Sequence, residues 1–399
     1  MCCVTLPAKT SSTIRIFLIL SAGISSAIVP AARSSPRRSS VSCPGFLNSS
    51  IENSVKTDST PEKIVLLRTD RLGDTILSLP VATALKAAFP HSRITFLARD
   101  YTAPLIAASP AVDEVVSLDA FGGDNPALVR WLKEQHFDAA VHLFPRPELA
   151  WATWRAGIPL RIGTGYRYYS LLFNRRQYDH RKQGRYHEAE LNLRLLQQLG
   201  ITDAQVRFDL AVNHGMQEKI DNLLKDHGLD LRVPMIIIHP GSGGSSRDWP
   251  AEHFAALARE ITANLSVQLI VTGTEKEKSV ARDICAAAGM KPISLAGRLT
   301  VDELMAVINR AALFIANSTG PLHLAVALNK QVLAFYPPIQ ACRPERWGPY
   351  GRRQDVLMSQ EEECTLCRGQ SGGTCACMQR ITPEQAFARV RRALSQPEN

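Results

Sequence analysis

The chain has 399 residues, a net charge of +9, 45% apolar residues and 21% charged residues. That balance is ordinary for a globular chain with room for two cores, and an odd number of cysteines without regular spacing argues against a secreted disulfide scaffold. No run of 18 or more strongly apolar residues marks a bilayer-spanning helix. Six Lys/Arg against three acids fall in residues 1–62, so an excess of +6 belongs to the remainder. That excess suits an acidic partner such as a phosphorylated lipid, a nucleotide or a nucleic acid, without choosing among them.

In chain order, residues 1–61 are expected to be a flexible extension or an over-extended translation start. Ile16–Ala32 is uncharged and follows Lys9 and Arg15, which imitates a signal peptide, but Ser, Gly and Pro dilute it. "SSPRRSSVSCPGFLNSS" has the composition of an unstructured segment. From Lys63 onward, strand and helix signals alternate. "KIVLLRT" reads as a strand, "DTILSLPVATALKAAF" as a helix kinked at Pro80, and "RITFLAR" as a strand. "TAPLIAAS" is a short helix, "EVVSLD" a strand, "NPALVRWLKEQHF" a helix and "DAAVHLF" a strand. "EAELNLRLLQQLG" closes this unit as a helix with Gly200 as its C-cap. Ile201–His214 reads as a connector. The pattern then restarts with strands "PMIIIHPG", "VQLIVTG", "ISLAG", "ALFIAN" and "QVLAFY" between helices, and ends on the capped helix "TPEQAFARVRRALS". The expected fold is α/β: two Rossmann-like doubly wound domains, 62–210 and 211–399, facing a cleft. In such sheets ligands bind beyond the carboxyl ends of the strands, so each strand-end loop is a candidate site.

Four strand ends carry chemistry. "KIVLLRTDRLGDTILSLP" has a single glycine at its turn, Gly73, followed by Asp74, where a nucleotide-binding turn usually has several. Asp74 reads either as a helix cap, its ionised form favoured by the helix start, or as a residue of the chemistry. "HPGSGGSSRDWP" offers a Gly/Ser-rich loop with Ser242 and the cation Arg247, able to wrap a phosphate; a plain surface loop is the alternative. "VTGTEKEK" places Glu275 and Glu277 where a carboxylate can accept from ribose hydroxyls, or where it is simply a solvated first-turn acid. "NSTGPLHLA" joins Ser318, Thr319 and Gly320 to a helix start, with His323 one turn in. This is an anion site or an ordinary N-cap.

These stretches, with "HEAELNLRLLQQLG", stand in an order and separation that resembles the ADP-heptose:lipopolysaccharide heptosyltransferases of glycosyltransferase family 9, over roughly Lys63 to Leu394. The resemblance implies a GT-B fold with the acceptor in the N-terminal half and the nucleotide-sugar in the C-terminal half. It implies an inverting, metal-independent transfer needing no cofactor for catalysis, with Asp74 as base. Its donor site falls on Ser242, Arg247, Glu277, Ser318, Thr319, Gly320 and His323. Arg247 takes the place of a lysine in the "KxWP" of many members. Ser318 takes the place of the usual Asp in "DTGPxH", beside the sugar and phosphates. Hydroxyl and backbone N–H groups keep the anion-binding logic there.

On the acceptor side, Arg68 and Arg71 are expected to orient the acceptor or offset charge. Arg161–His187 reads as a basic loop with seven Lys/Arg, one acid and several tyrosines. It suits an anionic glycolipid at the inner membrane surface, with Arg175 and Arg176 as contacts. It lacks any motif for nucleic acid. Of nine cysteines, Cys364, Cys367, Cys375 and Cys377 cluster as Cys-x2-Cys-x7-Cys-x-Cys, a candidate structural zinc site with reduced thiols as the alternative. The expected protein is cytoplasmic and peripheral to the membrane, and adds a heptose-like sugar from an ADP-sugar to a lipopolysaccharide core or related glycan. The rivals are a non-catalytic nucleotide-sugar- or RNA-binding relative, and an epimerase that turns over without an acceptor.

Overall fold

The computed structural model describes residues 60–289, 293–359 and 375–395. The N-terminal half runs β1 (Lys63–Leu67), α1 (Leu72–Ile76), α2 (Leu79–Ala88), β2 (Arg93–Ala98), α3 (Ala103–Ala107) and β3 (Glu114–Ser117). It continues with α4 (Asn125–Gln135), β4 (Ala139–His142), α5 (Pro147–Arg155), β5 (Leu160–Thr164), β6 (Arg175–Gln177) and α6 (Glu188–Leu193). Its strands form one parallel sheet in the order β3-β2-β1-β4-β5-β6. β1 sits centrally, in register with β2 and β4, and its residues Ile64 to Leu67 are fully buried. A strand covered on both faces needs an unbroken apolar run, and "IVLL" is that run.

The C-terminal half repeats the plan with α7 (His214–Asp226), β7 (Met235–His239), α8 (Ala251–Asn264), β8 (Gln268–Val271), α9 (Lys278–Ala287), β9 (Ile293–Ser294) and α10 (Val301–Asn309). After these come β10 (Leu313–Asn317), α11 (Gly320–Ala327), β11 (Gln331–Tyr336), α12 (Pro344–Trp347), β12 (Val356–Met358), α13 (Ala376–Gln379) and α14 (Pro383–Leu394). The strand order β12-β11-β10-β7-β8-β9 is the same doubly wound topology met from the other edge. Trp249 anchors one face of this sheet: its ring stacks on Phe335 with centroids 4.0 Å apart, and its indole N–H donates to Ile381 O at 2.7 Å.

Several local readings need correction. The helix expected across Pro80 is two helices. Chain direction changes at Leu77–Ser78, and Pro80 lies in the first turn of α2, where its missing N–H costs nothing. The side chain of Asn192 donates to the carbonyl of Leu77 at 3.0 Å, so α6 buttresses the break. Gly200 does terminate its helical segment, with φ +82°. The basic segment is not one loop: β5 and β6 cross it and form the sheet edge. "RRQ" lacks the apolar alternation of a strand because an edge strand needs so little burial. α5 and β12 were likewise not legible from pattern.

The halves share an apolar seam. Ile76 of α1 and Leu105 of α3 pack in one cluster with Met305 and Leu322 of the C-terminal half. Directly beside it, α1 and α11 meet backbone to backbone. A Cβ built on Gly73 would lie 3.1 Å from Gly320 Cα and 3.0 Å from His323 Cδ2, and one on Gly320 would lie 3.0 Å from Gly73 N. Two glycines are needed here so that two helix starts can touch across the cleft.

Candidate active site

A cavity of about 950 Å³ opens where the carboxyl ends of both sheets face each other. The N-terminal half contributes Asp70–Asp74, Tyr101 and Phe144. The C-terminal half contributes five strand-end loops, among them Ser242, Glu277 and Ser318–Gly320, together with His323. The cavity thus collects Asp74, Arg71, Ser242, Glu277, Ser318, Thr319, Gly320 and His323.

Asp74 is the third residue of α1, but it caps nothing. Arg71 occupies the N-cap position, and no side chain caps the helix. The Asp74 carboxylate is instead held by Arg68, whose Nη2 donates to Oδ1 at 2.5 Å. Arg68 also donates to Asp70 through Nε at 2.6 Å and to Leu143 O at 3.0 Å. With every direction of its fork used and only 2% of its surface exposed, Arg68 is a brace for two carboxylates and has no face for an acceptor. Arg71, exposed at the cavity rim, keeps that possibility. Burial raises the proton affinity of Asp74 above the ordinary 3.8, with Glu188 adding to the rise while Arg68, Arg71 and Arg346 oppose it. Asp70 is lifted to about 6 by burial, against Arg68 and with Asp74 repelling it.

On the opposite wall, Asn317 at the end of β10 ties two loops together. Its Oδ1 accepts from Trp249 N at 2.8 Å and its amide donates to Pro240 O. Ser245 Oγ lies 2.7 Å from Ser242 O and 3.0 Å from Ser318 O. These bonds hold the amides of the Ser318–Gly320 turn at the N-terminus of α11, where free N–H groups and the positive end of the helix dipole favour an anion. His323 is buried, and burial lowers its pKa to about 3, so it is a neutral imidazole at the cavity wall.

Glu277 reaches the same space. Its Oε2 accepts from Thr274 N at 2.6 Å and from Thr274 Oγ1 at 2.9 Å, closing a capping box. Gly241 makes room for it, since a Cβ there would sit 1.5 Å from Glu277 Oε1. Glu275 also lines the cavity but pairs with Lys278 at 2.7 Å.

Three expected contacts lie elsewhere. Arg247 is 6% exposed and is not in the cavity lining; its charge is felt by Asp248 and by Cys342, which is itself a lining residue. Arg176 donates to Ser170 O and Phe173 O at 2.9 and 3.0 Å, bracing its own loop. Arg175 sits with it on the edge strand β6, away from the lining. Cys364 and Cys367 lie outside the described residues. Cys375 and Cys377 are buried in the apolar core around Trp249. Among the described residues, no group of three or more His, Cys, Asp or Glu is placed for a metal, and no helix is long and apolar enough to cross a membrane.

Some lining residues were not singled out in the sequence. Tyr101, whose hydroxyl donates to Asp70 O at 2.6 Å, follows β2, and Phe144 follows β4, so the strand-end rule points to both. Trp347 enters only through the tertiary fold.

Comparison with known proteins agrees with this geometry. The profile of glycosyltransferase family 9 (heptosyltransferase) matches residues 126–373. Lipopolysaccharide heptosyltransferase 2 of Escherichia coli K12 is 26% identical over 294 residues, 69% of this chain and 83% of its own. The crystal structure of a family 9 glycosyltransferase from Veillonella parvula superposes with a TM-score of 0.72 at 22% identity, covering 84% of this chain and 97% of that one. The E. coli heptosyltransferase WaaC, solved with ADP-2-deoxy-2-fluoro heptose, superposes with a TM-score of 0.62 at 16% identity, covering 83% and 99%. The fold is therefore GT-B, and with the family profile spanning more than half of its residues, the chain belongs to glycosyltransferase family 9 and is a glycosyltransferase.

Proposed function

We propose that the protein moves a heptose-like sugar from an ADP-sugar to a lipopolysaccharide core or related glycan, by an inverting, metal-independent displacement with Asp74 as general base. One observation carries this reading: Asp74 and the N-terminus of α11 face one cavity from opposite halves. The acceptor hydroxyl attacks the anomeric carbon from the face away from the diphosphate. Its proton passes to Asp74 as the new C–O bond forms, and the bond to the diphosphate oxygen breaks. Charge on the leaving diphosphate is met by the α11 amides and the Ser318 and Thr319 hydroxyls, fixed in place before reaction. Arg68 keeps Asp74 ionised and aimed, and burial makes it a stronger base than a solvated aspartate.

The ADP-heptose of the WaaC complex and the lipopolysaccharide named for the E. coli relative support this choice of donor and acceptor. Glu277 is the expected partner of the ribose hydroxyls. Calorimetric titration with ADP tests the donor half: the wild type binds, and Glu277→Gln, which keeps an acceptor for Thr274, weakens binding about tenfold, the loss of one charge-assisted hydrogen bond. An unaltered affinity removes Glu277 from the site, and a wild type that does not bind ADP removes the donor.

Peripheral membrane contact belongs to the same reading. Tyr168 and Leu171 are 84% and 79% exposed, and Trp151 and Trp154 of α5 are also exposed, next to Arg155 and Arg167. Aromatic and basic side chains together suit an anionic lipid surface. Sedimentation with phosphatidylglycerol vesicles should pellet the protein at low salt, and the Tyr168→Ser, Leu171→Ser double variant should remain in solution. Equal pelleting of both would locate any membrane contact elsewhere.

A further inference from the structure

The segment His187–Glu190, from the "HEAELN" motif, takes no part in the chemistry described so far. It is where the N-terminal half docks on the C-terminal half beside Asp74. Glu188 is 2% exposed, and its Oε2 accepts from Arg346 Nε and Nη2 of α12 at 3.0 and 2.9 Å. Its Oε1 is held by Arg181, and it lies 3.9 Å from Nη1 of Arg68. Next to it, His187 Nδ1 accepts from Ala189 N at 3.2 Å, which leaves Nε2–H to donate to Gly348 O at 2.9 Å across the interface. The Tyr350 hydroxyl reaches Glu190 Oε1 at 3.3 Å. Trp347, the neighbour of Arg346, lines the active-site cavity.

We propose that Glu188 is a positioning residue for the transfer reaction: gripped by Arg346 of the C-terminal half, it holds a fixed negative charge beside the Arg68–Asp74 pair and so ties the setting of the base to the docking of the two halves. The inference rests on the assignment of Asp74 as base. A buried carboxylate held by three guanidinium groups from three separate segments is costly unless fully compensated, so any opening that withdraws Arg346 leaves Glu188 with less opposing charge. The groups facing Asp74 are Arg68, Asp70 and Arg71 from its own loop, Tyr101 after β2, Glu188 on α6, Arg346 on α12 and neutral His323 on α11. Arg181 stands behind Glu188. Glu188 pushes the proton affinity of Asp74 up and Arg346 pulls it down, so their removal acts in opposite directions.

The test is a 13C-carboxyl titration of Asp74 in the full chain, with the resonance identified by its loss in Asp74→Asn. Glu188→Gln should move the midpoint down by about half a pH unit or more, and Arg346→Gln should move it up by a similar amount. The acid limb of kcat should follow each shift. A purely structural role would lower stability in both variants without opposite titration shifts, and midpoints unchanged in both, or moved the same way, would overturn the proposal. If Glu188→Gln does not fold, the upward shift in Arg346→Gln decides alone. The titration needs no turnover, so it stands apart from the donor assignment. If Asp74→Asn kept full activity, the base assignment would fail, whatever the titration showed.

Discussion

Asp74→Asn should lose transfer activity by about 10²–10⁴-fold in kcat, the range that a positioned general base supplies. It should fold normally, because the amide oxygen still accepts from Arg68 and because Arg68 keeps Asp70 as a second partner. The pH dependence gives the same residue a second signature. As the proposed base, Asp74 acts only when ionised, and its folded pKa is raised above 3.8, first by burial. Activity therefore falls as pH drops through that raised value, at a higher pH than a solvated aspartate would produce. This limb should vanish from the residual activity of the variant. Steady-state kinetics across pH, with the melting temperature as the folding control, reads both effects. A variant with wild-type kcat would remove Asp74 from the chemistry.

The second large effect concerns the glycine before it. Gly73→Val should drive α1 away from α11, since even a single methyl would press on Gly320 Cα and His323 Cδ2 at about 3 Å. Overpacking of this kind costs about 1–3 kcal/mol of stability. The larger consequence is for rate. The proposed base lies on one side of this contact and the proposed anion site on the other, and a displacement near 1 Å can cost about 10²-fold in kcat. Thermal unfolding and kcat measured on the same preparation check both parts. Unchanged stability together with full activity would mean that the two helix starts do not fix the cleft.

Gly73 also shows what could be read from the sequence and what could not. The paucity of glycine at the first strand end was visible, as was the glycine-rich character of the other half. The resemblance implies a nucleotide-sugar on the C-terminal side, and that contrast agrees with it. What the glycine is for was not visible, because its partner, Gly320, lies 247 residues away. The long buried strands β1, β2, β4, β7, β10 and β11 declared themselves by apolar runs that only a covered parallel sheet explains. The edge strands β6 and β12 did not, because three residues at a sheet margin bury too little to leave a pattern.

Charged residues were read least well. A sequence shows that an arginine is present but not which way its fork points. Arg68 turns inward on Asp70 and Asp74, Arg176 turns back on its own loop, and Arg247 is buried outside the lining it was expected to join. Asp74 was legible as a residue near a helix start, yet its carboxylate answers to Arg68 and not to the helix. Glu188 and Arg346, 158 residues apart, form a pair that no local pattern announces.

The most direct measurement is release of ADP from ADP-heptose, followed with and without a deacylated lipopolysaccharide core acceptor, in the presence of EDTA. The account predicts ADP release that depends on the acceptor, persists in EDTA and yields a product with inverted anomeric configuration. Turnover without acceptor, loss of activity in EDTA, or a product of retained configuration would contradict it.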